Sequence, residues 1–286
     1  MSSLLQLRLS VDYASRKDVL REVELDIREG EILGLAGESG SGKSTIALAI
    51  LGLLEHKRGT VRGQVLFGDR DLARLRSKQM REVRGREIAL VLQSPLASLN
   101  PALRIGTQMA EAWRAHRHDA KDWKQSALEA LELVHLAQPE TFLNRYPREV
   151  SVGQAQRILI AMAILHRPKL LIADEATSAL DAITQSEILQ LFKRLNRELR
   201  MAILFISHDL LSVASLCDRV AVLHAGRIVE CGAVEQVFSH PRENYTRALL
   251  NALPHQPFKV SEDLQALAEQ LAGGTGLQPV ASQITS

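Results

Sequence analysis

The stretch "EILGLAGESGSGKST" occupies residues 31–45, and its reading decides the fold. The apolar run Ile32–Ala36 reads as a buried strand. A turn rich in glycine follows, and helical periodicity begins after residue 42. A glycine-rich turn between a strand and a helix lets successive backbone N–H groups converge on phosphate oxygens, and the helix N-terminus adds a positive dipole end. Gly37, Ser39, Gly40, Ser41, Gly42 and Thr45 form that cradle on this reading. Lys43 is expected to reach the β- and γ-phosphates of a nucleotide, and the Ser44 hydroxyl to ligate Mg²⁺. At average composition the spacing arises by chance in roughly 1 of 100 chains of this length. A flexible Gly/Ser turn is the plain alternative, and the flanking strand and helix argue against it.

A phosphate loop of this kind needs a carboxylate from a neighbouring strand, and "KLLIADEATSALD" (169–181) supplies one. Asp174 ends the apolar run and is assigned to the Mg²⁺ shell. Glu175 follows it, placed to orient an attacking water or take its proton. In "AILFISHDL" (202–210) His208 follows another apolar strand and is assigned to the γ-phosphate. Gln93 ends "IALVLQ" (88–93), from where it reaches the metal or the water. Tyr13 ends the first strand and offers an aromatic face for stacking on a base, a half-buried strand tyrosine being the competing reading. "HRH" at 116–118 has no third ligand and is set aside as a metal site.

Further out, strand-like runs fall at 4–11, 22–27, 31–36, 64–67, 87–92, 170–173, 202–206, 219–224 and 227–231. Helical periodicity is clearest after 42, across 107–137, after 153, at 184–199 and at 244–252, where Tyr245, Ala248, Leu249 and Ala252 share a face. Interspersed strands and helices predict an α/β core with a mainly parallel sheet. No good strand lies between Gln93 and Ser151, and the helical stretch that fills this interval predicts an inserted helical lobe at about 94–150. Beyond 254 the chain turns to Gln, Gly, Ser and Pro, and its last residues, "GGTGLQPVASQITS", read as a frayed tail.

With 46% hydrophobic and 24% charged residues the chain is expected to fold and be soluble, and a net charge of +2 gives no general attraction to nucleic acid or anionic lipid. The two cysteines, Cys217 and Cys231, form no metal-ligating pair and read as reduced thiols of a cytosolic protein. No run reaches the ~18 apolar residues of a membrane span, and the N-terminus lacks the pattern of a signal peptide. The run "RLRSKQMREVRGR" (74–86) holds six basic residues without interleaved aromatics. It reads as a solvated helix face rather than a nucleic-acid surface.

Taken together, these residues resemble the nucleotide-binding subunit of an ABC transporter, over roughly residues 4–254. Tyr13, the Walker A loop 37–45, the Q-loop Gln93, a signature segment at 151–154, the Walker B pair Asp174 and Glu175, the D-loop ending at Asp181 and the switch His208 fall in the family's order. The resemblance implies a P-loop NTPase core with an antiparallel β subdomain and an inserted helical subdomain. It implies ATP and Mg²⁺, with Ser44, Gln93 and Asp174 toward the metal. "LQSPLASLNPALRIGTQMAE" and "HPRENYTRALLNALP" look like the oligopeptide, dipeptide and nickel importer branch. The resemblance further implies a dimer in which each ATP lies between one subunit's Walker A loop and the partner's signature. Two membrane permeases, an extracytoplasmic solute-binding protein reached indirectly, and a peripheral place on the cytoplasmic face of the inner membrane complete the expectation. A soluble ATP-gated assembly factor of the same fold is the alternative; no nucleic acid is expected.

One element departs. "REVSVGQAQR" (148–157) keeps Ser151, Gly153 and Gln154 where the family has Leu-Ser-Gly-Gly-Gln, but puts Val152 at the first glycine. A β-branched residue disfavours positive φ, so a loop that needs such a dihedral would be impaired, and the defect would fall on the partner's ATP. That pattern favours a heterodimer with unequal sites over a homodimer. A smaller departure, Ala176 after Glu175, is expected only to relax the turn.

Overall fold

Residues 3–116 and 122–253 are described by the computed structural model. The first part runs β1 (Ser3–Tyr13), β2 (Arg16–Arg28), β3 (Ile32–Ala36), α1 (Lys43–Ile50), β4 (Gly59–Phe67), β5 (Arg70–Asp71), α2 (Ser77–Val83) and β6 (Ile88–Val91). The middle is helical: α3 (Pro95–Ser98), α4 (Ile105–Arg114), α5 (Trp123–Leu133), α6 (Pro139–Leu143) and α7 (Val152–Ile164). Then follow β7 (Leu170–Asp174), α8 (Ala182–Leu199), β8 (Ala202–Ile206), α9 (Leu210–Leu216), β9 (Arg219–His224), β10 (Arg227–Ala233), α10 (Val234–Ser239) and α11 (Asn244–Asn251).

All five residues of β3 and of β8 are buried, which is what continuous apolar runs in a sheet covered on both faces require. The large sheet has the order β10-β9-β3-β8-β7-β6, with β9 through β6 parallel and β10 antiparallel at one edge. The smaller sheet, β2-β1-β4-β5, is antiparallel throughout. One apolar core lies between the large sheet and α7, α8 and α9 and extends among α4, α5 and α6. A second fills the space between the two sheets around α1. Helix α8 shows the logic in one element: Ile188, Leu191, Phe192 and Leu195 repeat at helical spacing and are buried, and Asp181 caps its N-terminus.

Every strand-like run corresponds to a strand, but β2 and β4 are longer than their alternation suggests. The reasons are local. Glu22 adopts φ 46° and gives its N–H to Ser10 Oγ, which breaks the period-2 pattern midway along β2. In β4, Gly63 sits at φ 114° with Arg8 O only 2.0 Å from where a Cβ would lie, so the strand's first half reads as a turn. The periodicity over 107–137 belongs to two helices, α4 and α5. Helices α2, α6, α9 and α10, of seven, five, seven and six residues, are too short to show periodicity.

The basic run needs a correction at one position. Arg84 does not face solvent as the other charges do: its Nε donates to Leu51 O at 2.7 Å and its Nη2 to Gly52 O at 2.9 Å. It caps the carbonyl end of α1, and burial lowers its pKa. The face assigned to 244–252 is also corrected. Tyr245, Leu249, Leu250 and Leu253 pack on the core and Thr246 is buried, whereas Ala248 and Ala252 are exposed. His116 packs edge-on against His166 at 5.0 Å rather than facing solvent. Arg117, His118 and the tail from 255 lie outside the described residues, among which no helix is long and apolar enough to cross a membrane.

Candidate functional site

In an open parallel sheet the loops that leave the carboxyl ends of the strands share one edge, and ligands bind there. Here the register aligns Leu35 of β3 with Ile206 of β8, and Ile206 with Asp174 of β7. Gly37, Ser207 and Glu175 therefore leave the sheet side by side. Gln93 leaves the same edge just after β6, whose Val91 pairs with Ala173.

The phosphate loop is wound through the left-handed region at Gly37 (φ 148°), Gly40 (φ 79°) and Gly42 (φ 113°). A Cβ on Gly37 would lie 2.2 Å from Leu223 O, so only glycine lets this peptide rest on the end of β9. Lys43, 5% exposed, donates from Nζ to Gly37 O at 2.7 Å and Glu38 O at 2.9 Å. Burial lowers its pKa, against the opposing pull of Glu175, Asp174 and Glu38. The Ser41 hydroxyl is buried without a partner among the described residues, beside Gly37 and outside the cleft lining.

Ser44 Oγ donates to Asp174 Oδ1 at 3.2 Å, which joins the start of α1 to the end of β7. Burial raises the Asp174 pKa, and the Ser44 hydrogen bond works against that rise. A hydroxyl and a carboxylate oxygen at this spacing are hard donors of the kind Mg²⁺ takes alongside phosphate oxygens and waters. No group of three or more His, Cys, Asp or Glu among the described residues would hold a metal alone. The donor set thus suits a cation that arrives with a polyphosphate.

Glu175 occupies φ 51°, a left-handed conformation that costs a residue with a Cβ roughly 1–2 kcal/mol. Its N–H is held by Ile206 O at 2.9 Å, and this turn aims the side chain at β8. There Oε2 meets His208 Nδ1 at 3.2 Å. The carboxylate and the imidazole sit one strand apart, as neighbours along the sheet edge.

Tyr13, Ser39, Gly40, Gly42, Lys43, Ser44, Thr45, Gln93, Asp174 and Glu175 line one open cleft of about 860 Å³. That lies within the roughly 300–1,000 Å³ of small-ligand sites. Tyr13 stands at its mouth with Oη 3.4 Å from Thr45 Oγ1. Ser15 from the β1–β2 turn and Arg16 and Val19 from the start of β2 line the cleft beside it, as do Leu92 and Ala97. Sequence reading missed these residues, because a turn after a strand carries no pattern that aims it at a distant loop.

Ser151, Gly153, Gln154 and Asp181 are not in this cleft. Ser151 caps α7, its Oγ accepting from Gln154 N at 3.2 Å while Gln154 Oε1 accepts from Ser151 N at 3.1 Å. Asp181 caps α8, accepting from Ile183 N, Thr184 N and Thr184 Oγ1, and these bonds lower its pKa. The two helix starts touch: a Cβ on Gly153 would lie 2.8 Å from Thr184 Cγ2. Val152 is the first residue of α7, is absent from the positive-φ positions and is 40% exposed. Its isopropyl group points outward, and no backbone strain arises from it.

Residues 20–178 match the family described as ABC transporter. The chain belongs to that family. It is 44% identical over 257 residues to the oligopeptide transport ATP-binding protein OppD of Bacillus subtilis, a match covering 89% of this chain and 72% of that protein. It is 42% identical over 250 residues to the dipeptide transport ATP-binding protein DppD of Haemophilus influenzae, covering 86% and 76%. Among solved structures, a dimeric ATP-binding cassette in a post-hydrolysis state with ADP and phosphate superposes with a TM-score of 0.70 at 27% identity, over 80% of this chain and 98% of that one. This ABC subunit is an ATP-binding ATPase with a P-loop core, as the resemblance implied.

Proposed function

We propose that this ATPase energises uptake of a peptide-class solute, working with a second, non-identical ATP-binding subunit and two membrane permeases on the cytoplasmic face of the membrane. One observation carries the reading. Lys43, the Ser44–Asp174 pair and Glu175 converge on one wall of an open cleft, and His208 backs Glu175 from outside the lining. The capped helix starts at Ser151 and Asp181 lie outside that cleft and face elsewhere. A wall without an opposite side calls for a second subunit. The likeness to oligopeptide and dipeptide transport proteins supports the solute class.

In the reaction we propose, the cradle N–H groups and Lys43 hold the β- and γ-phosphates. Ser44, Asp174 and Gln93 would hold Mg²⁺ when it is bound, and it would supply neutralisation of phosphate charge. Glu175 orients the attacking water and takes its proton as the new P–O bond forms and the bond to the β-phosphate oxygen breaks. His208 keeps the Glu175 carboxylate turned toward the γ-phosphate and contacts that phosphate itself. Tyr13 stacks on the base. The N–H groups at the start of α7, with Ser151 and Gly153, serve the γ-phosphate of ATP held by the partner. Residues about 94–150 form the lobe that passes dimer closure to a permease.

The test joins biochemistry to transport. The chain should co-purify with a permease, show weak ATPase activity alone, and gain activity when its paired ATPase and permeases are added. Glu175→Gln should abolish uptake without lowering expression. Uptake that survives this change, or full cooperative activity of the chain alone, would sink the proposal.

A further inference from the structure

Glu38, the first residue after Gly37 in the phosphate loop, is gripped from two directions. On one side Lys43 Nζ donates to its carbonyl at 2.9 Å. On the other its N–H donates to the phenol oxygen of Tyr245 at 3.2 Å, across a sequence separation of 207 residues. Burial is the main cause that raises the Tyr245 pKa, so the hydroxyl keeps its proton at neutral pH while its oxygen accepts from the Glu38 N–H.

Tyr245 is itself fixed. Its ring stacks on His224 with centroids 3.7 Å apart and planes 29° from parallel. His224 ends β9, next to Leu223, whose carbonyl is the surface on which Gly37 rests. The chain leading into α11 is pinned by Glu230, which accepts from Arg242 N at 2.8 Å and Glu243 N at 3.2 Å. The same helix packs Leu249 and Leu250 on the core. Phosphate loop, β9 and α11 thus meet at one tyrosine.

We infer that Tyr245 is a positioning residue for ATP binding: its phenol sets the Gly37–Glu38 segment of the phosphate loop, and through the Glu38 carbonyl the perch of Lys43. The inference rests on the ATP site proposed above. It adds a role for the last described helix, which that site does not use. Tyr245 does not line the cleft, so it acts through the loop and is not a catalytic residue.

The decisive variant is Tyr245→Phe, which keeps the stack on His224 and removes only the hydroxyl. MgATP is titrated against the full-length chain, hydrolysis is followed in the assembled complex, and melting is recorded without nucleotide. Loss of one hydrogen bond to the loop should raise the Kd and KM for ATP about 3- to 10-fold. The kcat should stay within about twofold, because Glu175 and His208, which act on the attacking water, are untouched. The nucleotide-free melting temperature should move by no more than about 2 °C. Leu249→Ala, which loosens the packing of α11, should lower that temperature and leave the Kd alone. An unchanged Kd in Tyr245→Phe, or an equal rise in Leu249→Ala, overturns the inference. Failure of the underlying site looks different: wild type and Lys43→Ala would then titrate alike, and both readings fall together.

Discussion

Around the phosphate loop the backbone enters the left-handed region at Gly37, Gly40 and Gly42, and again at Glu175 across the sheet edge. At Ser151–Gln154 and Asp181–Thr184 it never does. The first region buries an ammonium, half-buries the carboxylates beside it and bends its backbone to hold them. The second exposes two helix starts that satisfy their own N–H groups with Ser151 and Asp181. One region is shaped around a ligand and is strained to do so. The other is an ordinary pair of capped helices, whose chemistry lies in what it presents rather than what it encloses.

The sharpest way to break this contrast is Glu175→Gln. If the turn at Glu175 exists to aim a proton acceptor, kcat should fall about 10²- to 10⁴-fold while ATP binding persists, read by single-turnover hydrolysis and nucleotide titration. Glycine substitutions compare the two regions next. Gly37→Ala drives a Cβ to 2.2 Å from Leu223 O in the backbone, so it should cost about 1–3 kcal/mol and weaken ATP binding. Gly153→Ala meets only the Thr184 methyl and gains about 1 kcal/mol of helix propensity, so thermal melting should change little. Equal losses at both sites would erase the distinction.

Asp181→Ala should lower the melting temperature at neutral pH by uncapping α8. Hydrogen bonds from Thr184 lower the Asp181 pKa in the folded state. Its stabilisation is therefore complete above the ordinary aspartate pKa of about 3.9 and is lost as pH falls through the lower folded value. The gap between wild type and Asp181→Ala should close on acidification in that window; a gap constant through it would remove the ionised cap. The smallest effect belongs to Val152→Gly. An exposed first helical residue at negative φ predicts a stability change within about 0.5 kcal/mol and less than about a twofold gain in ATPase activity of the assembled complex. A larger gain would restore Val152 as a defect in the partner's site.

Much of the fold was legible because its signals are local. Ile32–Ala36, Leu170–Ala173 and Ala202–Ile206 are unbroken apolar runs, and unbroken burial follows from them. Lys43, Ser44, Gln93, Asp174 and Glu175 were legible for a related reason, since strand ends in a parallel sheet must share an edge. Val152 was read with a dihedral in question; the capping box of Ser151 and Gln154 settles it by starting the helix at Val152 itself. Contacts between distant segments left no trace in a single sequence. Arg84 looked like one charge in a basic run until the end of α1 was seen against it. The packed face of α11 was misassigned because Ala248 and Leu250 are both apolar, and only the neighbours of the helix choose between them.

The contact between Gly153 and Thr184 carries a mechanical consequence. With no Cβ at 153, the first turns of α7 and α8 lie close enough for the Thr184 methyl to occupy the space a side chain would take. Thr184 is in turn tied to Asp181 by its hydroxyl at 2.7 Å. A shift of α8 toward α7 is met first by the Thr184 methyl against the bare backbone of Gly153, so the size of residue 153 sets how near the two helix starts can stand.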